Sequence, residues 1–177
     1  YFGQAIYSKY PIINGENFPF ENEKSNQFCF IDILKNKDTI RIFNAHLGSI
    51  RLQYEDYETI GGKSNNLKKK PSNNTSIYKR MSDAYINRSK QVEVLMKEVK
   101  KSKYPVVLCI DLNDTPNSYA YHQISKQLTD AFVKTGNGMG STYIGENIFN
   151  NILPVNRIDY IFYSPELKSA DFTTHKE

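Results

Sequence analysis

Pro105-Val106-Val107-Leu108-Cys109-Ile110-Asp111-Leu112-Asn113-Asp114-Thr115-Pro116 is the stretch on which the reading of this chain turns. The near-continuous apolar run after Pro105 predicts a strand buried on both faces, and it breaks off into polar residues at Asp111. Apolar strands of this kind deliver polar side chains to a site at their carboxyl ends. On extended backbone Asp111 and Asn113 point to the same side, which sets a carboxylate beside an amide. The carboxylate can accept a proton from water or hold a metal, and the amide can donate hydrogen bonds to a phosphoryl oxygen. Asp-x-Asn-Asp is equally ordinary turn chemistry, so both readings stay open on this segment alone.

Upstream, 76–101 shows helical spacing. Ile77, Met81, Ala84, Tyr85, Val92, Leu95, Met96 and Val99 recur at three- and four-residue steps. Ser76 is placed to cap the start, and Lys97, Lys100, Lys101 and Lys103 suit the negative C-terminal end. Arg88 falls on the same apolar stripe, where a guanidinium needs an anionic partner. A structural ion pair outweighs a substrate contact there. Residues 53–75 are polar and irregular, and Gly61-Gly62-Lys63-Ser64 and Pro71-Ser72-Asn73-Asn74 are loop compositions. They form an insertion within one domain, and Lys68-Lys69-Lys70 inside it reads as solvated loop before phosphate patch.

Before the insertion, Phe28-Cys29-Phe30-Ile31-Asp32-Ile33-Leu34 and Thr39-Ile40-Arg41-Ile42-Phe43-Asn44-Ala45-His46 flank a polar turn. That pattern is an antiparallel hairpin. His46 emerges where the second strand turns polar; singly, it is a structural histidine. Further back, the short apolar run 4–8 is ended by Tyr10-Pro11. Downstream, a short helix is expected over 118–126, with strands at Thr142-Tyr143-Ile144 and Ile158-Asp159-Tyr160-Ile161-Phe162-Tyr163. Arg157 and Asp159 would share one strand face, and an isolated pair of that kind is a salt bridge. Gly136-Asn137-Gly138-Met139-Gly140 leads into no helix, so it is a flexible loop and not a phosphate cradle. Together the elements give one α/β sandwich.

Composition narrows the class. Of 177 residues 39% are hydrophobic and 24% charged, with 13 Tyr and 10 Phe, which excludes a disordered chain. The net charge of +4 suits an anionic substrate but falls short of a dedicated nucleic-acid binder. Cys29 and Cys109 lie in apolar strand-like runs and read as two buried thiols, without metal-ligand spacing. No apolar run approaches the ~20 residues of a membrane span, and nothing resembles a signal peptide. Tyr1-Phe2-Gly3-Gln4-Ala5-Ile6 reads like the middle of a domain, so upstream sequence is expected.

The signals are modest singly, but their order is specific. Gly3-x-Ala5-Ile6-Tyr7-Ser8, Asn44-x-His46-Leu47, Arg88-x-x-Gln91, Asp111-x-Asn113-Asp114-Thr115-Pro116, Asp130-Ala131-Phe132, Ser141-Thr142-Tyr143 and Arg157-Ile158-Asp159-Tyr160 follow one another. This series closely resembles the endonuclease/exonuclease/phosphatase superfamily, which includes deoxyribonuclease I, exonuclease III, neutral sphingomyelinases and inositol polyphosphate 5-phosphatases. The resemblance implies a DNase I-like four-layer α-β-β-α sandwich with mixed, mainly antiparallel sheets, here lacking N-terminal strands and the last strand. It implies that His46 contacts the scissile phosphate, Asp111 activates or orients water, and Asn113 contacts phosphate or metal. It also implies that Asp159 orients a catalytic histidine and that Arg157 is structural. Mg²⁺ (or Mn²⁺) is the implied cofactor, with Asp111 and Asn113 as secondary metal contacts and the primary glutamate expected upstream of residue 1. Ile110 and Leu112 stand where the family has glycine and phenylalanine. The closing Ser-Asp-His motif is expected beyond Glu177, and His175, without a preceding acid, is read as a loop histidine.

The expected activity is metal-dependent hydrolysis of a phosphodiester or phosphomonoester, with this stretch alone inactive. Nucleic acid, phospholipid and sugar phosphate all stay open as substrates, and a membrane anchor outside the stretch stays open too. A catalytically inactive binding or scaffold domain is the alternative. An exposed sheet edge should favour self-association; a monomer of high thermal stability in the ultracentrifuge and calorimeter would contradict that.

Overall fold

The computed structural model describes residues 3–21, 25–50, 74–143 and 157–175. The polar insertion expected at 53–75, with its lysine triplet, falls almost wholly outside them. Six strands form one sheet: β1 (Ile12–Pro19), β2 (Gln27–Lys35), β3 (Asp38–His46), β4 (Val106–Asp111), β5 (Thr129–Asp130) and β6 (Asp159–Tyr163). Their order is β1-β2-β3-β4-β6-β5. Only β3 and β4 run parallel; every other neighbouring pair is antiparallel. The crossover that makes that pair parallel contains α1 (Asn74–Lys100), and α2 (Tyr119–Ser125) and α3 (Ala131–Thr135) follow β4 and β5.

Register explains the core. Phe28, Ala45, Ile110 and Tyr160 lie side by side across β2, β3, β4 and β6, and Phe30, Phe43, Leu108 and Phe162 form the next row on that face. All eight are buried, packed beneath Val92, Leu95, Met96 and Val99 of α1. Leu, Phe and Val at these positions each withdraw enough apolar area to contribute about 1.5–3 kcal/mol. The covered face also carries Asp32 directly opposite Arg41, joined by two hydrogen bonds of 2.7 and 2.8 Å.

The other face is half open. Cys29, Asn44, Cys109 and Ile161 form one of its rows, and Ile161 is 40% exposed. β4 is therefore covered on one side only, with alternating burial, where its sequence suggested a strand buried on both. Cys29 and Cys109 are free and half-buried, not buried as expected. Asn44 sits between them, which puts them two strand spacings apart, about 10 Å, beyond the reach of a disulfide. Among the described residues the architecture is thus one mainly antiparallel sheet with α1 and α2 packed on one face, two layers of an α/β half-sandwich.

Several boundaries differ from the sequence pattern. Helix α1 begins at Asn74, so Ser76 lies inside it and is not its cap. β1 was not expected: it is an exposed, polar edge strand, stabilised by pairing with β2 and not by burial. Of the segment 142–144, Tyr143 contributes a single bridge residue and no strand among the described residues. The short helix α2 is as expected, with Ser118 Oγ accepting from Tyr121 N at 3.2 Å. The glycine run does form a loop, but a packed one. Gly138 and Gly140 have φ of 76° and 61°, and a Cβ at Gly140 would meet the Phe132 ring at 2.5 Å. No described helix is long and apolar enough to cross a membrane.

Candidate active site

β3 and β4 end where the antiparallel β6 begins, and the row they share there is His46, Asp111 and Asp159, each paired with the next in register. Side chains in one row of a sheet point to the same face. An imidazole and two carboxylates therefore converge at one strand end, on the open side of the sheet. His46 Nε2 lies 3.5 Å from Asp111 Oδ2.

The imidazole is held from behind. Asn26, itself buried, places Oδ1 2.8 Å from His46 Nδ1. An amide oxygen only accepts, so Nδ1 carries a proton, and Nε2 is left to face Asp111. Asn113 Nδ2 lies 3.4 Å from that Nε2 and donates to Leu47 O at 2.9 Å.

Asn113 reaches this position by a route that alternation does not give. β4 stops at Asp111, and Asn113 has a left-handed φ of 51°. Asparagine tolerates that conformation because its short polar chain bonds locally. Its backbone N–H donates to Asp111 Oδ1 at 2.9 Å. The turn thus aims the amide at the histidine.

A buried arginine ties the strand ends together. Arg88, 1% exposed, donates from Nε to Asp114 Oδ2 and from Nη1 to Gly48 O, both at 2.9 Å. Gln91 Oε1 accepts from Gly48 N at 2.9 Å. The loop after His46 and the turn after Asp111 thus hang from one helix face. This is the structural ion pair anticipated for Arg88.

Arg157 and Asp159 do not share a face. Arg157 precedes β6, is buried, and pairs with Asp130 at 2.8 Å between the rings of Phe132 and Tyr160, each 4.6 Å away. Asp159 turns outward to the cleft. Where β6 begins, Thr142 Oγ1 accepts from both Ile158 N and Asp159 N, at 3.1 Å each.

The cleft holds ≈570 Å³ and is lined by His46, Asp111, Thr142 and Asp159, with Gln4 and His175 contributed by segments laid over the open face. Asn26, Thr142 and the cleft-lining place of His175 were missed in the sequence. Thr142 had a signal in the Ser-Thr-Tyr motif, and His175 was weighed against the closing histidine and read as a loop residue; Asn26 had none. Burial pushes the Asp111 carboxyl above its ordinary value; the Asn113 N–H and His46 oppose this and the nearby Asp159 carboxylate adds to it.

Mg²⁺ prefers six oxygen ligands in octahedral geometry. Among the described residues no three His, Cys, Asp or Glu side chains are grouped to hold a metal ion. Asp111, Asp159 and Asn113 therefore do not fit the ion by themselves.

With sheet order and strand-end cluster in view, the fold is that of the endonuclease/exonuclease/phosphatase superfamily. An endonuclease/exonuclease/phosphatase from Bacteroides vulgatus superposes with a TM-score of 0.58 at 16% identity, covering 89% of this chain and 55% of that one. The mannosyl-6-phosphatase of Bacteroides thetaiotaomicron gives 0.56 at 18% identity, covering 89% and 54%. A humanized D. rerio TDP2 gives 0.56 at 14%, covering 86% and 51%. The chain spans about half the length of these structures. No protein-family profile and no curated protein matches the sequence.

Proposed function

We propose that the protein hydrolyses a phosphate ester with water, and that the row His46–Asp111–Asp159 with Asn113 is its reaction centre. The observation that carries the proposal is the placement of two carboxylates and an imidazole in one open cleft, away from the core, with the Asn113 amide 3.4 Å from that imidazole. Asp111 takes a proton from the attacking water as its oxygen bonds to phosphorus. The ester P–O bond breaks and the leaving oxygen is protonated. Asn113 donates to a phosphoryl oxygen, and His46 lies beside the same group. Asp159 orients a proton-donating histidine from outside the described residues, as the superfamily resemblance implies. A divalent cation, Mg²⁺ or Mn²⁺, would need further ligands from outside them as well.

The fold is shared with a mannosyl-6-phosphatase and with a TDP2 solved with a single-strand DNA product, so both phosphomonoester and phosphodiester substrates fit the reading. The weak net charge of +4 gives nucleic acid no particular advantage. The protein expressed from its complete coding sequence should cleave bis-p-nitrophenyl phosphate or p-nitrophenyl phosphate with Mg²⁺. Asp111→Asn should lower kcat on the order of a hundredfold or more, the usual worth of a general base. Unchanged activity in that variant would eliminate the mechanism and favour an inactive binding domain of the same fold.

A further inference from the structure

Thr142 sits on the cleft wall with an unusual hydrogen-bond balance. Its Oγ1 accepts from the N–H of Ile158 and from that of Asp159, each at 3.1 Å. A hydroxyl oxygen has two lone pairs and one proton. Both lone pairs are committed to backbone, so the proton must be donated elsewhere, and no acceptor among the described residues takes it. The same two bonds fix the side-chain torsion, which gives that donor a preset direction. Thr142 lines the cleft together with His46, Asp111 and Asp159.

We infer that Thr142 is a substrate-binding donor whose Oγ–H bonds a non-bridging oxygen of the phosphoryl group. The inference rests on the phosphoester reading of the cleft. Asp111 and Asp159 put negative charge where an anionic group must enter, so binding depends on the donors that face it. Asn113, whose amide also bonds Leu47 O, is the one proposed from the β4 side; Thr142 supplies another from beside β6. Because the oxygen that donates to substrate is the one that anchors the Asp159 backbone, Thr142 also ties the position of Asp159 to that of the phosphoryl group.

Titrating the protein with inorganic phosphate, followed through amide chemical shifts, tests this. In the wild type, Asn113, Thr142 and Asp159 should shift together. T142S, which keeps oxygen and proton, should bind within roughly threefold of wild type, and T142V should bind roughly tenfold or more weakly through loss of one hydrogen bond to a charged acceptor. T142V binding as tightly as wild type overturns the inference and leaves the cleft reading intact. Phosphate that shifts none of these amides in the wild type overturns the reading beneath it too. Should T142V displace the Ile158 and Asp159 amides or fail to fold, the wild-type hydroxyl proton decides. It should exchange slowly only with phosphate bound, and fast exchange at saturation sinks the idea.

Discussion

Among the described residues three buried aspartates face guanidinium groups, while half-buried Asp111 and exposed Asp159 lie side by side. Asp32 pairs with Arg41, Asp114 with Arg88 and Asp130 with Arg157, at 2.7–2.9 Å, within or beside the covered side of the sheet. Asp111 and Asp159 are register partners on the open side, with the His46 imidazole 3.5 Å from Asp111 and no described guanidinium paired to either. The difference separates two uses of one residue type. A carboxylate matched by a fork of N–H donors is a structural joint, whereas a carboxylate beside another carboxylate costs the fold something and is kept for chemistry. The comparison can be broken by measurement, because the two sets respond oppositely to losing their charge.

The largest effect belongs to Arg88. Replacing it by methionine leaves Asp114, 7% exposed, without its partner and strips the donor from Gly48 O. Breaking such a pair from one side costs about 3–5 kcal/mol, and Tm should fall by roughly 10 °C for a chain of this size. Chemical denaturation of Arg88→Met beside wild type measures it. A loss under about 1 kcal/mol would mean that the joint is not one.

Arg88 also shows what a sequence can carry. An arginine on an apolar helical stripe announces a buried partner, and the strand that ends at Asp111 announces a site, so both were legible. The hairpin of β2 and β3 was legible too, but not its facing: Ile40 and Ile42 alternating with Arg41 and Phe43 suggest cover on both faces, whereas Phe43 is buried and Ile40 and Ile42 are only half-buried. Edge strand β1 was not, because an exposed polar strand has no burial pattern and exists through its ladder to β2. Asn26 was invisible for another reason. Its bond to His46 spans β2 and β3, and nothing local marks an asparagine before a strand as a histidine's partner. The left-handed turn at Asn113 replaced the alternation argument while delivering the same neighbours, His46 and Asp111.

A smaller effect separates the matched set by pH. Burial pushes the Asp32 carboxyl up, but the hydrogen bonds and charge of Arg41, with the Asn14 amide, outweigh it and hold it below its ordinary value. The folded value lies below the unfolded one, so the stabilisation is complete above the ordinary carboxylate range near 4 and is lost as pH falls through the lowered value. Asp32→Asn should therefore be less stable than wild type by about 1–3 kcal/mol at neutral pH. The gap should close as both are acidified from the ordinary carboxylate range down through the lowered value. Urea midpoints measured across that range check it; a gap constant with pH would show that packing, not charge, sets the cost.

The smallest expected change in stability is the most telling, because its sign is reversed. Asp111→Asn keeps an oxygen to accept from the Asn113 N–H, removes a charge that burial already disfavours, and ends the repulsion from Asp159. Its stability should be unchanged or raised by up to about 1 kcal/mol at neutral pH, while the activity falls as expected for the loss of the base. Arg88→Met and Asp32→Asn damage the fold; Asp111→Asn should damage only the chemistry. If denaturation instead finds Asp111→Asn destabilised by several kcal/mol, the carboxylate is another structural joint whose partner lies outside the described residues. The distinction between matched and opposed aspartates would then lose its meaning for this cleft.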